Sequence, residues 1–187
     1  MKNIIEEIEK NPIIAAVRRE EDAQAAAQSQ VSTVFLLHGD IFNVKTLVDM
    51  MKANNKSVFI HVDFLEGIGK DNRAIDYIAD VIAPDGILTT KSSHVKYSKE
   101  KGMFTIQRFF LIDSLSYDTT IKTANAVRPD MIEVMPAVMP GVIKRISGEI
   151  PLPVIAGGLI ESKEDIIEIL KSGALGVSTG NKDLWVL

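Results

Sequence analysis

Residues 151–181 read PLPVIAGGLIESKEDIIEILKSGALGVSTGN. They hold an apolar strand at 152–156, a glycine turn (Ala156-Gly157-Gly158-Leu159-Ile160), a helix, and a second strand, Leu175-Gly176-Val177-Ser178. Ser162 and Asp165, at capping-box spacing, open that helix, and Ile166, Ile167 and Leu170 give it an apolar face. A second glycine turn follows in Gly176-Val177-Ser178-Thr179-Gly180-Asn181. Tandem glycine turns of this kind match the place where a (β/α)8 barrel holds phosphate, in the loops after strands seven and eight. Glycine lets the backbone approach an anion closely, and Ser178 and Thr179 add hydroxyl donors. The expected phosphate-binding set is therefore Gly157, Gly158, Ser178, Thr179 and Gly180.

The same unit recurs towards the N-terminus. Strand-like apolar runs lie at 13–17, 33–37, 57–62, 86–89, 103–108 and 131–134. Between them, helical spacing joins Val44, Leu47, Val48 and Met51, with Asn43 as the expected cap. Further faces are Ala74, Ile75, Ile78 and Ile82, then Ile121, Ala124 and Val127, then Val142, Ile143 and Ile146 after Pro140. Only 92–101 has a weak helical pattern. Ile4, Ile5 and Ile8 share one face of a leading helix that Pro12 limits. Continuous apolar strands under helices require a parallel sheet. Eight of them predict a compact (β/α)8 TIM barrel with a leading N-terminal helix, residues 1–187 forming a single domain. An open doubly wound sheet is the alternative if a short strand is misread.

Composition bounds the function. The chain has 187 residues, 46% hydrophobic and 25% charged, with a net charge of −4, which weighs against non-specific nucleic-acid binding. There is no cysteine, which removes disulfides, thiolate nucleophiles and thiolate metal ligands. No signal-peptide pattern opens the chain and no apolar run reaches membrane-spanning length, so the expected compartment is the cytoplasm, with no membrane partner.

In a barrel all strand ends open on one face, and here they carry polar groups. Arg18, Lys91 and Arg108 are the cationic candidates for a phosphorylated ligand. Asp63 and Glu66 follow the third strand, and Glu133 lies inside the sixth, where a buried charge needs a partner or a ligand hydroxyl. His61 and Asp63 share one side of a strand, yet two ligands do not complete a metal site, so none is expected. No spacing supplies an activated serine, a Walker-type loop or a dinucleotide fingerprint.

Several stretches resemble the glycerol-3-phosphate-responsive antiterminator family. They are Phe35-Leu36-Leu37-His38-Gly39-Asp40-Ile41, His61-Val62-Asp63-Phe64-Leu65-Glu66-Gly67, Asp85-Gly86-Ile87-Leu88-Thr89-Thr90-Lys91, Ile132-Glu133-Val134-Met135-Pro136 and Ile155-Ala156-Gly157-Gly158-Leu159-Ile160. The segments Thr105-Ile106-Gln107-Arg108-Phe109-Phe110-Leu111-Ile112-Asp113-Ser114 and Val177-Ser178-Thr179-Gly180 complete the resemblance, in the same order along nearly the whole chain. It implies a non-catalytic bacterial regulator with glycerol 3-phosphate as effector, no cofactor, and an operon leader mRNA as partner. Under that reading Lys96, Lys99 and Lys101 are the candidate RNA contacts, and homo-oligomers are allowed. The rival reading is a barrel enzyme acting on a small phosphorylated polyol or sugar, as an isomerase, aldolase or phosphodiesterase. The apolar end, Leu184-Trp185-Val186-Leu187, is expected to cover the barrel.

Overall fold

The computed structural model describes residues 3–186. Eight parallel strands close into a barrel in sequence order, the last pairing with the first. They are β1 (Ile13–Val17), β2 (Thr33–Leu36), β3 (Ser57–His61), β4 (Gly86–Thr89), β5 (Phe104–Phe110), β6 (Met131–Met135), β7 (Val154–Gly157) and β8 (Gly176–Thr179). The helices are α1 (Ile4–Lys10), α2 (Glu20–Gln28), α3 (Val44–Ala53), α4 (Asn72–Tyr77), α5 (Ser92–Glu100), α6 (Ser114–Val127), α7 (Pro140–Glu149) and α8 (Lys163–Lys171). The barrel reading holds, and the open sheet does not.

Two apolar clusters follow from the alternation of side chains along each strand. The inner one fills the barrel with Ile14, Phe35, Phe59, Leu88, Ile106, Met131 and Ile155, and α1 plugs its floor with Ile4 and Ile8. Phe59 meets Phe35 and Phe104 edge to face, with ring centroids 5.8 and 5.7 Å apart. The outer cluster lies between strands and helices, and Leu184 and Trp185 join it. The C-terminal segment thus packs against the outside of the sheet, and Leu187 lies outside the described residues.

Local differences have local causes. The strand expected from residue 152 starts at Val154, because Pro151 and Pro153 lack the N–H that a ladder needs. The weak pattern at 92–101 is a regular helix, α5, whose buried side is His94, Val95 and Ser98, too polar to read as a core face. Asn43 precedes α3 but does not cap it. Asp40 holds that turn, accepting from the Phe42 and Asn43 amides at 2.7 and 3.0 Å. The box of Ser162 and Asp165 forms as expected. Among the described residues no helix is long and apolar enough to cross a membrane.

Candidate functional site

The loops after β1, β7 and β8 enclose a recess of about 460 Å3 at the C-terminal face of the barrel. Gly158, Leu159, Thr179 and Gly180 line it, with Arg18 and Arg19 from the loop after β1. The two arginines differ in availability. Arg19 is spent on Glu21 at 2.8 Å and Asp22 at 3.2 Å, whereas Arg18 is exposed and pairs with no carboxylate among the described residues. Its guanidinium crosses Gly180, with Nε 3.5 Å from where a Cβ would stand.

The turn after β7 is unusual in its backbone. Gly158 has φ +86°, and the next residue, Leu159, also lies in the left-handed region at φ +60° while its side chain is 67% exposed. A bulky residue held there is strained and points to a constraint other than its own packing. Turns that present successive backbone amides to a concavity are suited to an anion.

Behind the recess the barrel interior turns polar. Arg108 of β5 and Glu133 of β6 sit opposite each other in register, 4% and 0% exposed, with Nε donating to Oε2 at 2.6 Å. Ser178 of β8 donates its hydroxyl to the other carboxylate oxygen of Glu133 at 2.5 Å. That proton is therefore unavailable to a phosphate, and the expected donor role of the Ser178 side chain gives way to one of orienting Glu133. A Cβ on Gly157 would collide with the Ser178 hydroxyl and approach Glu133 Oε1 to 2.9 Å. Gly157 thus clears the way for an internal bond. Thr179 turns its hydroxyl oxygen to the Asn181 amide at 3.1 Å, and its carbonyl accepts from Trp185 Nε1 at 2.8 Å.

A second polar cluster lies across the mouth. Asp63 accepts from the Thr90 amide at 2.7 Å, the Thr90 hydroxyl at 3.0 Å and the Thr89 hydroxyl at 3.2 Å. Burial opposes its charge, yet these donors and the neighbouring His61 hold its pKa below the usual value. His61 is fully buried, and neither ring nitrogen has a hydrogen-bond partner. Its ring stacks on Phe64 with centroids 4.0 Å apart. Burial and the positive charge of Arg108 push its pKa down to about 3, so the imidazole is neutral at neutral pH.

The other expected residues do not converge. Lys91 is exposed just before α5; its amide donates to the Thr89 hydroxyl at 3.1 Å, and among the described residues its side chain forms no hydrogen bond or ion pair. Glu66 is exposed, and its backbone, not its carboxylate, joins the loop after β2 through Gly39 and Ile41. Lys96 is exposed, but Lys99 binds the Arg128 carbonyl at 2.7 Å and Asp130 at 3.2 Å, and Lys101 pairs with Asp76 at 2.6 Å. Lys99 thus ties the end of α5 to the loop before β6, and Lys101 ties it to α4. No three His, Asp or Glu side chains among the described residues are placed to hold a metal. Sequence reasoning missed Lys70, which clamps the Val62 and Leu65 carbonyls at 2.6 and 2.7 Å, and the Asp22–Lys182 pair at 2.7 Å beside the recess. Neither lies in a motif; the Lys70 contacts fold the connection after β3 back on itself, and the Asp22–Lys182 pair joins residues 160 apart in sequence.

Fold and site together define a small TIM barrel with a recess lined by arginines and glycines over strands seven and eight and a buried ion pair at its centre. The chain belongs to the family described as glycerol-3-phosphate responsive antiterminator, whose model matches residues 13–185. It is similar to the glycerol uptake operon antiterminator regulatory protein of Listeria monocytogenes str. 4b F2365, with 35% identity and TM-score 0.89 over 92% of this chain and 94% of that one. A glycerol uptake operon antiterminator-related protein of Thermotoga maritima MSB8 shares 32% identity and TM-score 0.83, covering 94% and 98% of the two chains. Escherichia coli (strain K12) YgcP, an uncharacterised protein, is 36% identical over 180 residues, which is 96% of this chain and 94% of YgcP. Barrel enzymes at 12–17% identity and TM-scores of 0.69–0.73 share the fold alone. The similarity is thus stronger to antiterminator regulators than to barrel enzymes.

Proposed function

We propose that this chain is a glycerol-3-phosphate-responsive, RNA-binding antiterminator acting on the leader mRNA of a glycerol-use operon. The observation that carries the effector half is the recess where unpaired Arg18 faces Gly180 and the left-handed Gly158-Leu159 turn. The phosphate binds there, on backbone amides and the Arg18 guanidinium. The three-carbon end points inward past Ser178, towards Arg108 and Glu133. The RNA half rests on family membership. For the ligand to control RNA affinity it must bind the RNA-competent state better; a tenfold change in RNA affinity takes about 1.4 kcal/mol of such preference.

The effector half is tested by calorimetry with glycerol 3-phosphate and glycerol, on wild type and Gly158→Asp. The substitution places a carboxylate at the anion site, on a backbone that already has φ +86°. The expected result is binding of the phosphate ester alone, abolished in a variant that still melts cooperatively. Equal binding of both ligands, or undiminished binding in a folded variant, contradicts the assignment.

A further inference from the structure

The buried pair at the centre of the mouth has an inventory of hydrogen-bonding groups that selects what lies next to it. Each oxygen of Glu133 has a partner: one accepts from Arg108 Nε and the other from Ser178. The donors of Arg108 do not all have one. A guanidinium carries five N–H donors, and among the described residues no acceptor engages those of Arg108 other than Nε. Nor are its terminal nitrogens sealed from solvent as those of His61 are, although the residue is only 4% exposed. Ser178 belongs to both the recess wall and this cluster, so the anion site and the pair adjoin.

From this we infer that Arg108 and Glu133 form a charge-neutral subsite that accepts the hydroxyl end of a polyol monophosphate and rejects a second anionic group in the same place. The inference rests on the effector reading above and deepens it to a rule of selectivity. A hydroxyl oxygen accepts from the unspent guanidinium donors without bringing charge. A carboxylate or second phosphate would be desolvated beside Glu133, and the positive charge it needs is already neutralised. The recess handles the phosphate; the pair reads what is attached to it. Glu133 is a specificity-determining residue that acts through Arg108.

The test is calorimetry on the full chain with inorganic phosphate, glycerol 3-phosphate and 3-phosphoglycerate, which differ in what stands opposite the phosphate. Wild type is expected to bind glycerol 3-phosphate tighter than 3-phosphoglycerate by at least about tenfold, the scale set by leaving a buried charge uncompensated. Glu133→Gln keeps the shape and releases the positive charge of Arg108, so the preference should shrink or invert. Equal wild-type affinity for the two organic phosphates overturns the inference while leaving the effector reading standing, and needs no variant to fold. A Glu133→Gln variant that melts cooperatively and keeps the full preference overturns it too. If none of the three compounds binds, the effector reading falls, and this inference with it.

Discussion

The Ser178 hydroxyl lies 2.5 Å from Glu133 Oε1, and the bond exists because residue 157, between them, has no side chain. One glycine of the turn thus serves the barrel interior, while the next, Gly158, shapes the recess. Gly157→Ala is expected to cost about 1–3 kcal/mol, the range for overfilling a packed core, measured as a lower urea midpoint at constant slope. Gly180→Ala meets only ordinary contacts, Ala16 O at 3.4 Å and Arg18 Nε at 3.5 Å, and should change stability by no more than about 0.5 kcal/mol. Equal destabilisation by the two would contradict this division of labour.

Removing one partner of the buried pair should hurt more than removing both. Arg108→Ala leaves the fully buried Glu133 carboxylate with Ser178 alone, and a loss of about 3–5 kcal/mol is expected. A double replacement by Met at 108 and Leu at 133 should recover much of it. Urea denaturation of Arg108→Met, Glu133→Leu and their double closes the cycle; strict additivity would show that the pair is not coupled.

His61 makes stability depend on pH. Its folded pKa, about 3, lies below the ordinary value of 6.5, so the unfolded chain binds its proton first. The stability this group contributes is present above 6.5 and is lost as the pH falls from there towards 3. Asp63 also has a depressed pKa, but from the ordinary 3.8, so its contribution is lost only below that value. Between 6.5 and 3.8 the decline should reach at most about 1.4 kcal/mol per pH unit. Melting curves of His61→Leu should flatten that interval. A profile unchanged by the substitution would mean that His61 is not held neutral by the fold.

The single tryptophan reports on the recess. Trp185 donates its indole N–H to the carbonyl of Thr179, a residue of the recess wall. Glycerol 3-phosphate should produce a saturable change in tryptophan fluorescence, and glycerol should not. Calorimetric binding of glycerol 3-phosphate with a silent Trp185 would place the ligand elsewhere.

The barrel was legible in the chain because its strands are uninterrupted apolar runs and its helices carry regular faces, so even the short 86–89 run found its place as β4. The capping box before α8 was legible for the same reason: it is local. The site was less so. Sequence placed Arg108 and Ser178 at strand ends and Glu133 inside the sixth strand, but the bonds that join them span 25 and 45 residues and depend on barrel register. The choice of Arg18 over Arg19 turns on which one finds carboxylates, Glu21 and Asp22, within reach. The lysines of α5 looked like a basic face because Asp76 and Asp130, which pair with Lys101 and Lys99, lie on other elements.

The central claim is that the effector controls RNA affinity, and one measurement addresses it most directly. Titrate the protein against the leader transcript of the host's glycerol-uptake operon and against a scrambled RNA of equal length. Do so at several salt concentrations, with and without saturating glycerol 3-phosphate. The account predicts tighter binding to the leader than to the scrambled RNA, strengthened by the ligand and weakened by salt through lost phosphate contacts. Equal binding to both RNAs at every salt concentration, or a leader affinity indifferent to glycerol 3-phosphate, would contradict it.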